Sequence, residues 1–243
     1  MSILKVKKET TKLINREAAL TEKEFSPGEI FIITDSKGKY IKPVIPGRLL
    51  SYVHVIYKSG ANISSDFVED FIKQVRRAQR PIVYIWFGTC ELTEKSGKYI
   101  HTSTYPYQQA EHVLTIYREI KQRISHENSQ SKVIFLECPF LSVYRWNKHQ
   151  GREYNTQSEE IDKKQETELK SIIKYFNNQL NLINRDWTTP KISQDQIISS
   201  KKKRISHANY KINYNLLFDG IHPRRPIARL WIHRLVKYAR DLR

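Results

Sequence analysis

Apolar residues fall into four short continuous runs separated by stretches of helical periodicity. The runs are Glu29-Ile30-Phe31-Ile32-Ile33-Thr34, Tyr52-Val53-His54-Val55-Ile56-Tyr57, Ile82-Val83-Tyr84-Ile85-Trp86-Phe87 and Lys132-Val133-Ile134-Phe135-Leu136-Glu137. Each is too short for a helix and suits a strand covered on both faces. Phe67, Val68, Phe71, Ile72 and Val75 form a helical stripe behind a Ser64 or Ser65 cap. Tyr107, Ala110, Val113, Leu114, Tyr117, Ile120 and Ile124 form a longer one. A third, with Ile161, Leu169, Ile172, Ile173, Phe176, Leu180 and Ile183, follows the capping-box pattern Thr156-x-x-Glu159. A closing helix spans Pro223–Arg243, with Ile227, Leu230, Trp231, Leu235, Val236 and Ala239 on its inner face. The stretch after Cys138-Pro139, to about 155, reads as a polar, aromatic loop, and a short fifth strand is expected near Thr189–Ser193. Strand-then-helix alternation predicts a parallel sheet between helical layers. Residues 1–27 read as a mobile basic arm, in part helical, and 28–243 as one domain, because no break in composition divides them.

In an open parallel sheet, sites form beyond the carboxyl ends of the strands. Ser36 follows the first run; Gly60 and Asn62 the second; Gly88, Thr89 and Cys90 the third; Cys138 and Pro139 the fourth. Asp219 and His222 precede the closing helix. A serine hydroxyl becomes nucleophilic when a base takes its proton. His222 is the candidate base, and Asp219, three residues earlier, the group that orients it. Gly60 and Lys37 offer backbone N–H groups to a developing oxyanion. Each residue also has a structural use: Ser36 as a turn residue, Asp219 or His222 as a helix cap, Gly88 as a turn glycine. Their joint occurrence at the strand ends favours chemistry.

Four blocks resemble those of the SGNH (GDSL-type) hydrolase family. Thr34-Asp35-Ser36 resembles the Gly-Asp-Ser block that carries the nucleophile, and Gly60 the glycine of the second block. Gly88-Thr89-Cys90-Glu91 resembles the Gly-x-Asn-Asp block, and Asp219-Gly220-Ile221-His222 closely matches the Asp-x-x-His block. The resemblance spans roughly 29–240. It implies a three-layer α/β/α sandwich with a five-stranded, mostly parallel, flavodoxin-like sheet. It also implies ester hydrolysis by Ser36, His222 and Asp219, without metal or cofactor. Ser36, Gly60 and Cys90 fall at the oxyanion-hole positions, and Asn62, Gly88, Thr89 and Pro139 are expected to contact substrate. Two departures stand out. Thr34 replaces the glycine that opens the first block. Cys90 replaces the oxyanion-hole asparagine, and a thiol is a weak donor beside an amide. Loss of one oxyanion donor typically costs about 10²–10³ in rate. Slow esterase chemistry, a substitute donor such as Asn62, or a fold without activity are the alternatives. Cys90 acting as a nucleophile beside His222 is a further one, set against the commoner buried cysteine.

Charge adds a second function class. The 243 residues carry 42 Lys and Arg against 25 Asp and Glu, a formal net charge of +17. Such an excess favours polyanionic partners. The basic run Lys201-Lys202-Lys203-Arg204 and the N-terminal arm are the candidate nucleic-acid contacts. The competing reading is therefore a catalytically impaired SGNH-fold module that binds nucleic acid or an anionic membrane surface. In style, including the Tyr144-Arg145-Trp146-Asn147 stretch, the chain is similar to SGNH-type domains in first-frame proteins of some retrotransposons. A place within a mobile-element or viral polyprotein fits that likeness. Two cysteines make no disulfide framework, and no run reaches the ~20 apolar residues that span a bilayer. These features suggest an intracellular protein, cytoplasmic or nuclear. The eight histidines are scattered rather than clustered as ligands, and no Gly-x-Gly-x-x-Gly or Walker-type loop is present.

Overall fold

The computed structural model describes residues 2–18, 29–63, 66–198 and 210–242. In chain order its principal elements are α1 (Ile3–Ala18), β1 (Ile30–Thr34), α2 (Gly38–Ile41), β2 (Val53–Tyr57), α3 (Asp66–Arg76), β3 (Ile82–Trp86), α4 (Thr89–Leu92), β4 (Thr93–Ser96) and β5 (Tyr99–Thr102). Then come α5 (Pro106–Glu127), β6 (Lys132–Phe135), α6 (Val143–His149), α7 (Thr156–Ile183), β7 (Ile197–Ile198), β8 (Lys211–Ile212) and α8 (Arg225–Asp241).

The four apolar runs form one parallel sheet in the order β2-β1-β3-β6. Alternation along each strand sends side chains to two separate cores. Phe31, Ile33, Val83, Ile85, Val133 and Phe135 pack with the apolar faces of α3, α5 and α7. Ile30, Ile32, Ile82, Tyr84, Trp86 and Ile134 pack on the other side with α8 and part of α1. The result is an α/β/α sandwich, with strands apolar on both faces because both faces are covered. Two of the buried aromatics have their polar ends partnered: Tyr84 donates its hydroxyl to Leu235 O at 2.9 Å and Trp86 its indole N–H to Glu137 O at 3.0 Å.

The expected fifth strand is absent: the described sheet has four strands, and residues near Thr189–Ser193 lead into a single 3₁₀ turn at Ser193–Gln196. Amide side chains cover the open edge beside β6 instead. Asn184 accepts from Phe135 N–H at 3.0 Å and donates to Phe135 O at 2.7 Å. Asn177 does the same for Cys138 at 2.8 and 2.9 Å, and Gln196 for Phe140 at 2.7 and 2.9 Å. An amide carries both a donor and an acceptor, so it satisfies an edge residue's N–H and C=O together.

Two further expectations are corrected, and one gains detail. The helical part of the N-terminal arm is α1, with Val6 fully buried against the α8 side of the molecule and Glu9 paired with Arg234 of α8. The stretch read as a loop up to residue 155 contains α6, capped by the Ser142 hydroxyl. The cap of α7 is Asn155 with Ser158, one residue earlier than the Thr156-Glu159 pattern suggested. Ser64, Ser65, the rest of the N-terminal segment up to residue 28 and the Lys201–Arg204 run lie outside the described residues.

Candidate active site

The carboxyl end of β1 delivers Ser36 through a tightly fixed turn. Thr34, where the family has glycine, donates its hydroxyl to Trp86 O on β3 at 2.7 Å. Asp35 and Lys37 are both fully buried. The Lys37 ammonium lies 2.5 Å from Asp35 Oδ2 and donates to Thr89 Oγ1 at 3.1 Å. Burial works against the charged lysine, but the adjacent Asp35 carboxylate and, to a smaller degree, Cys138 and Glu91 together raise Lys37 above its ordinary value. The Lys37 N–H donates to Asp35 Oδ1 at 3.0 Å. That closes the turn and commits this N–H internally, so the expectation of Lys37 as a backbone oxyanion donor is corrected.

The last connection brings Asp219 and His222 to the same place. Asp219 Oδ1 accepts the N–H groups of Ile221 and His222 at 3.0 and 2.8 Å, which folds the tetrapeptide into a tight turn. Gly220 is needed there: its φ is +98°, and a Cβ would lie 2.7 Å from Ser142 O. Asp219 Oδ2 sits 2.6 Å from His222 Nδ1, and His222 Nε2 sits 2.8 Å from Ser36 Oγ. Burial pushes the Asp219 carboxyl up, but its hydrogen bonds from the His222 ring and from the two backbone N–H groups hold it below the ordinary carboxylate range.

Ser36 and His222 open onto a pocket of about 440 Å³ whose lining also includes Gly60, Asn62, Thr89 and Cys90. Six of the ten residues singled out around the sheet rim and its last connection thus share one pocket, with Asp219 directly behind it. Gly88, Cys138 and Pro139 do not line it. The Gly88 N–H donates to Glu91 Oε2 at 2.8 Å. The φ of Gly88 is +125°, and a Cβ there would meet Cys138 at 2.8 Å, so the glycine serves close backbone packing rather than contact with a ligand. Pro139 is buried beside Cys138, whose backbone is held by Asn177 on the α7 side.

Three residues at the site were not singled out for it from the sequence, and Lys37 was read only for its backbone N–H. Tyr40, four residues after Ser36, stacks its ring on His222 with centroids 4.6 Å apart and planes at 24°. Trp146 on α6 approaches the same imidazole at 5.8 Å and is anchored by its indole N–H to Lys98 O. The helical spacing of Tyr40 was a usable signal. Lys37 gave none, since a lysine normally reads as exposed. Glu91 is buried beneath the Cys90 side. Its two oxygens accept Ile63 N–H at 3.0 Å and Gly88 N–H at 2.8 Å, tying the loops after β2 and β3 together. Burial, with the nearby Asp35 charge, pushes its carboxyl up to about 7. Burial also pushes the Cys90 thiol up to about 11, helped by Asp35 and Glu91. Cys90 is therefore a protonated thiol at neutral pH, which argues against its use as a nucleophile.

No family model and no curated protein matches the chain. Solved structures do match it in fold. A carbohydrate esterase of family 3 from Talaromyces cellulolyticus is 14% identical, with 88% of this chain and 99% of that chain covered and a TM-score of 0.50. The periplasmic domain of the lipopolysaccharide acetyltransferase from Salmonella ser. Paratyphi A is 13% identical over 86% of this chain and 82% of that one, with a TM-score of 0.49. At such identity the likeness is one of fold: the chain shares the α/β sandwich of the Talaromyces esterase. Among the described residues no helix is long and apolar enough to cross a membrane.

Proposed function

We propose that this protein is a serine esterase of SGNH type, in which Ser36 attacks a carboxylic ester, His222 is the general base and Asp219 orients the imidazole. The observation that carries this reading is the unbroken chain Asp219 Oδ2–His222–Ser36 Oγ, with separations of 2.6 and 2.8 Å, opening onto a pocket. Ser36 Oγ bonds to the carbonyl carbon as its proton passes to His222 Nε2. The tetrahedral adduct collapses, the C–O bond to the alcohol breaks, and the alcohol departs with the proton from His222. Water then adds to the acyl-enzyme through the same base, releasing the acid and restoring Ser36. Asp219, held in its ionised form, stabilises the imidazolium. The N–H groups of Ser36 and Gly60 serve the oxyanion, and the Cys90 thiol contributes less than an amide there. The esterase named for the Talaromyces structure is consistent with this chemistry. A fluorophosphonate probe and 4-nitrophenyl acetate test the reading together. Ser36→Ala is expected to lose the label and to lower turnover by about 10³-fold or more. Turnover equal to wild type, or a label on another residue, removes Ser36 from this role.

A second reading is supported by α1, which presents Lys5, Lys7, Lys8, Lys12 and Arg16 to solvent. These residues would contribute to a surface for nucleic acid or an anionic membrane, alone or alongside hydrolysis. Titration of single-stranded RNA and of anionic vesicles against salt is expected to show affinity that falls steeply as salt rises. Absent or salt-independent binding of both ends this reading.

A further inference from the structure

We propose that the pocket selects esters bearing a fixed negative charge, a refinement that rests on the esterase reading. The argument lies in which side chains local geometry turns toward the pocket. The turn after β1 runs on into α2, and positions 36, 39 and 40 fall on one helical face at i, i+3 and i+4. Ser36, Lys39 and Tyr40 accordingly line the pocket together. On β4, strand alternation brings Thr93 and Lys95 to the pocket and turns Glu94 away. The Glu94 carboxylate accepts instead from the Ser103 hydroxyl at 2.6 Å and Thr104 N–H at 3.1 Å.

Two ammonium groups therefore border a pocket whose lining, among the described residues, contains no Asp or Glu. The carboxylates nearest in sequence to the site are engaged elsewhere: Asp35 with Lys37, Glu91 with two backbone N–H groups, Asp219 with His222. The hydroxyls of Ser59 and Thr89 add donors of the kind that carboxylate or phosphate oxygens accept, while the Thr93 hydroxyl is committed to Thr89 O at 2.7 Å. Trp146 and Ile100 supply an apolar wall for the rest of the molecule. The +17 net charge of the whole chain draws the same class of ligand toward it.

Two matched substrate pairs test this and separate the possible carriers of the charge. One sets 4-nitrophenyl hydrogen adipate, a carboxylate on the acyl side, against its neutral methyl ester. The other sets 4-acetoxyphenyl phosphate, a phosphate on the alcohol side, against its dimethyl phosphotriester. Each kcat/KM is normalised to the uncatalysed rate. Wild type is expected to prefer the charged member of at least one pair by about tenfold, with the ratio falling toward one in Lys39→Gln/Lys95→Gln and at high salt. No preference in either pair, or a preference that survives the double substitution, overturns the proposal. If no Ser36-dependent turnover is found, the esterase reading fails separately, and the charge selection is read from binding. On Ser36→Ala protein, calorimetry with monomethyl adipate and dimethyl adipate is expected to show about tenfold tighter binding of the anion, lost in the double lysine variant. Equal binding of the two, including none by either, overturns it.

Discussion

The two walls of the pocket differ in the polar chemistry they present. On the Ser36 side, the hydroxyl, both imidazole nitrogens and both Asp219 oxygens sit within one hydrogen-bonded chain, and Asp35 and Lys37 fix the turn from below. On the facing side stand Gly60, Asn62 and Cys90, with a protonated thiol where the resembling family has an amide. The first wall rests on the end of β1 and the turn before α8; the second rests on the loops after β2 and β3. Because different segments carry them, proton transfer and oxyanion stabilisation can diverge independently. This chain retains the geometry suited to the first and departs at the second.

The sharpest way to break the Ser36 wall is to remove its buried charge partner. Lys37→Met leaves the Asp35 carboxylate with no counter-ion at a fully buried position. Stranding a buried charge in this way costs about 3–5 kcal/mol. The expected result in urea unfolding is a loss of that size, partly recovered in Asp35→Asn/Lys37→Met, where no charge is stranded. A loss below about 1 kcal/mol, typical of a surface pair, would show that the turn does not depend on this pair.

Glu91 probes the foundation of the facing wall through pH. Its carboxyl is raised to about 7 by burial, from an ordinary value of 4.5. Below about pH 4.5 it is protonated folded and unfolded, and its contribution to stability is fully present. As pH rises toward 7 the unfolded chain releases the proton first, and that contribution is lost, amounting to about 3 kcal/mol. The stability difference between wild type and Glu91→Gln should therefore shift by that amount in favour of the variant between pH 4.5 and 7.5. A difference that stays flat across this window would mean Glu91 is ionised in the fold throughout, held by its two backbone donors.

The same contrast explains what the sequence made legible. Strands β1, β2, β3 and β6 are apolar at most inward positions, with Thr34 and the partly buried His54 as exceptions, so continuous runs announced them, and the sheet fixed where Ser36, Gly60 and Cys90 would emerge. The Asp219-Gly220-Ile221-His222 turn is local, and its spacing was readable directly. Interactions that depend on distant partners were not readable. The edge amides Asn177, Asn184 and Gln196 replace the expected fifth strand, yet asparagine in a helix carries no mark of what it pairs with. The β4–β5 hairpin went unread, although Ser96-Gly97 between short alternating segments was a turn signal, and Gly97 has φ +61°. The buried side chain of Lys37 was invisible, because burial of a lysine becomes intelligible only beside Asp35 and Thr89.

Restoring the missing amide tests the oxyanion wall directly. Cys90→Asn puts a two-donor side chain at the position the family fills with asparagine, in the lining of the pocket. If charge stabilisation limits hydrolysis, kcat on 4-nitrophenyl acetate should rise by about 10²-fold, the lower end of what removal of one such donor costs elsewhere. Cys90→Ala should change the rate far less than that. A fall in kcat for Cys90→Asn with an unchanged melting temperature would show that another group, with Asn62 the first candidate, already occupies the donor role.

The smallest expected effect concerns the ring that covers the base. Tyr40 stacks on His222 at 4.6 Å and lies on the same helical face as Ser36. Aromatic stacking of this kind is worth about 0.5–1.5 kcal/mol beyond area burial. Part of that energy holds the imidazole in the orientation that points Nε2 at Ser36. Tyr40→Leu removes the stacked ring and should lower kcat/KM by about fivefold, with the larger share in kcat. Tyr40→Phe keeps the ring and should recover most of the loss. Equal losses in both variants would instead assign the effect to the phenolic hydroxyl, and an effect confined to KM would make Tyr40 part of the substrate wall alone.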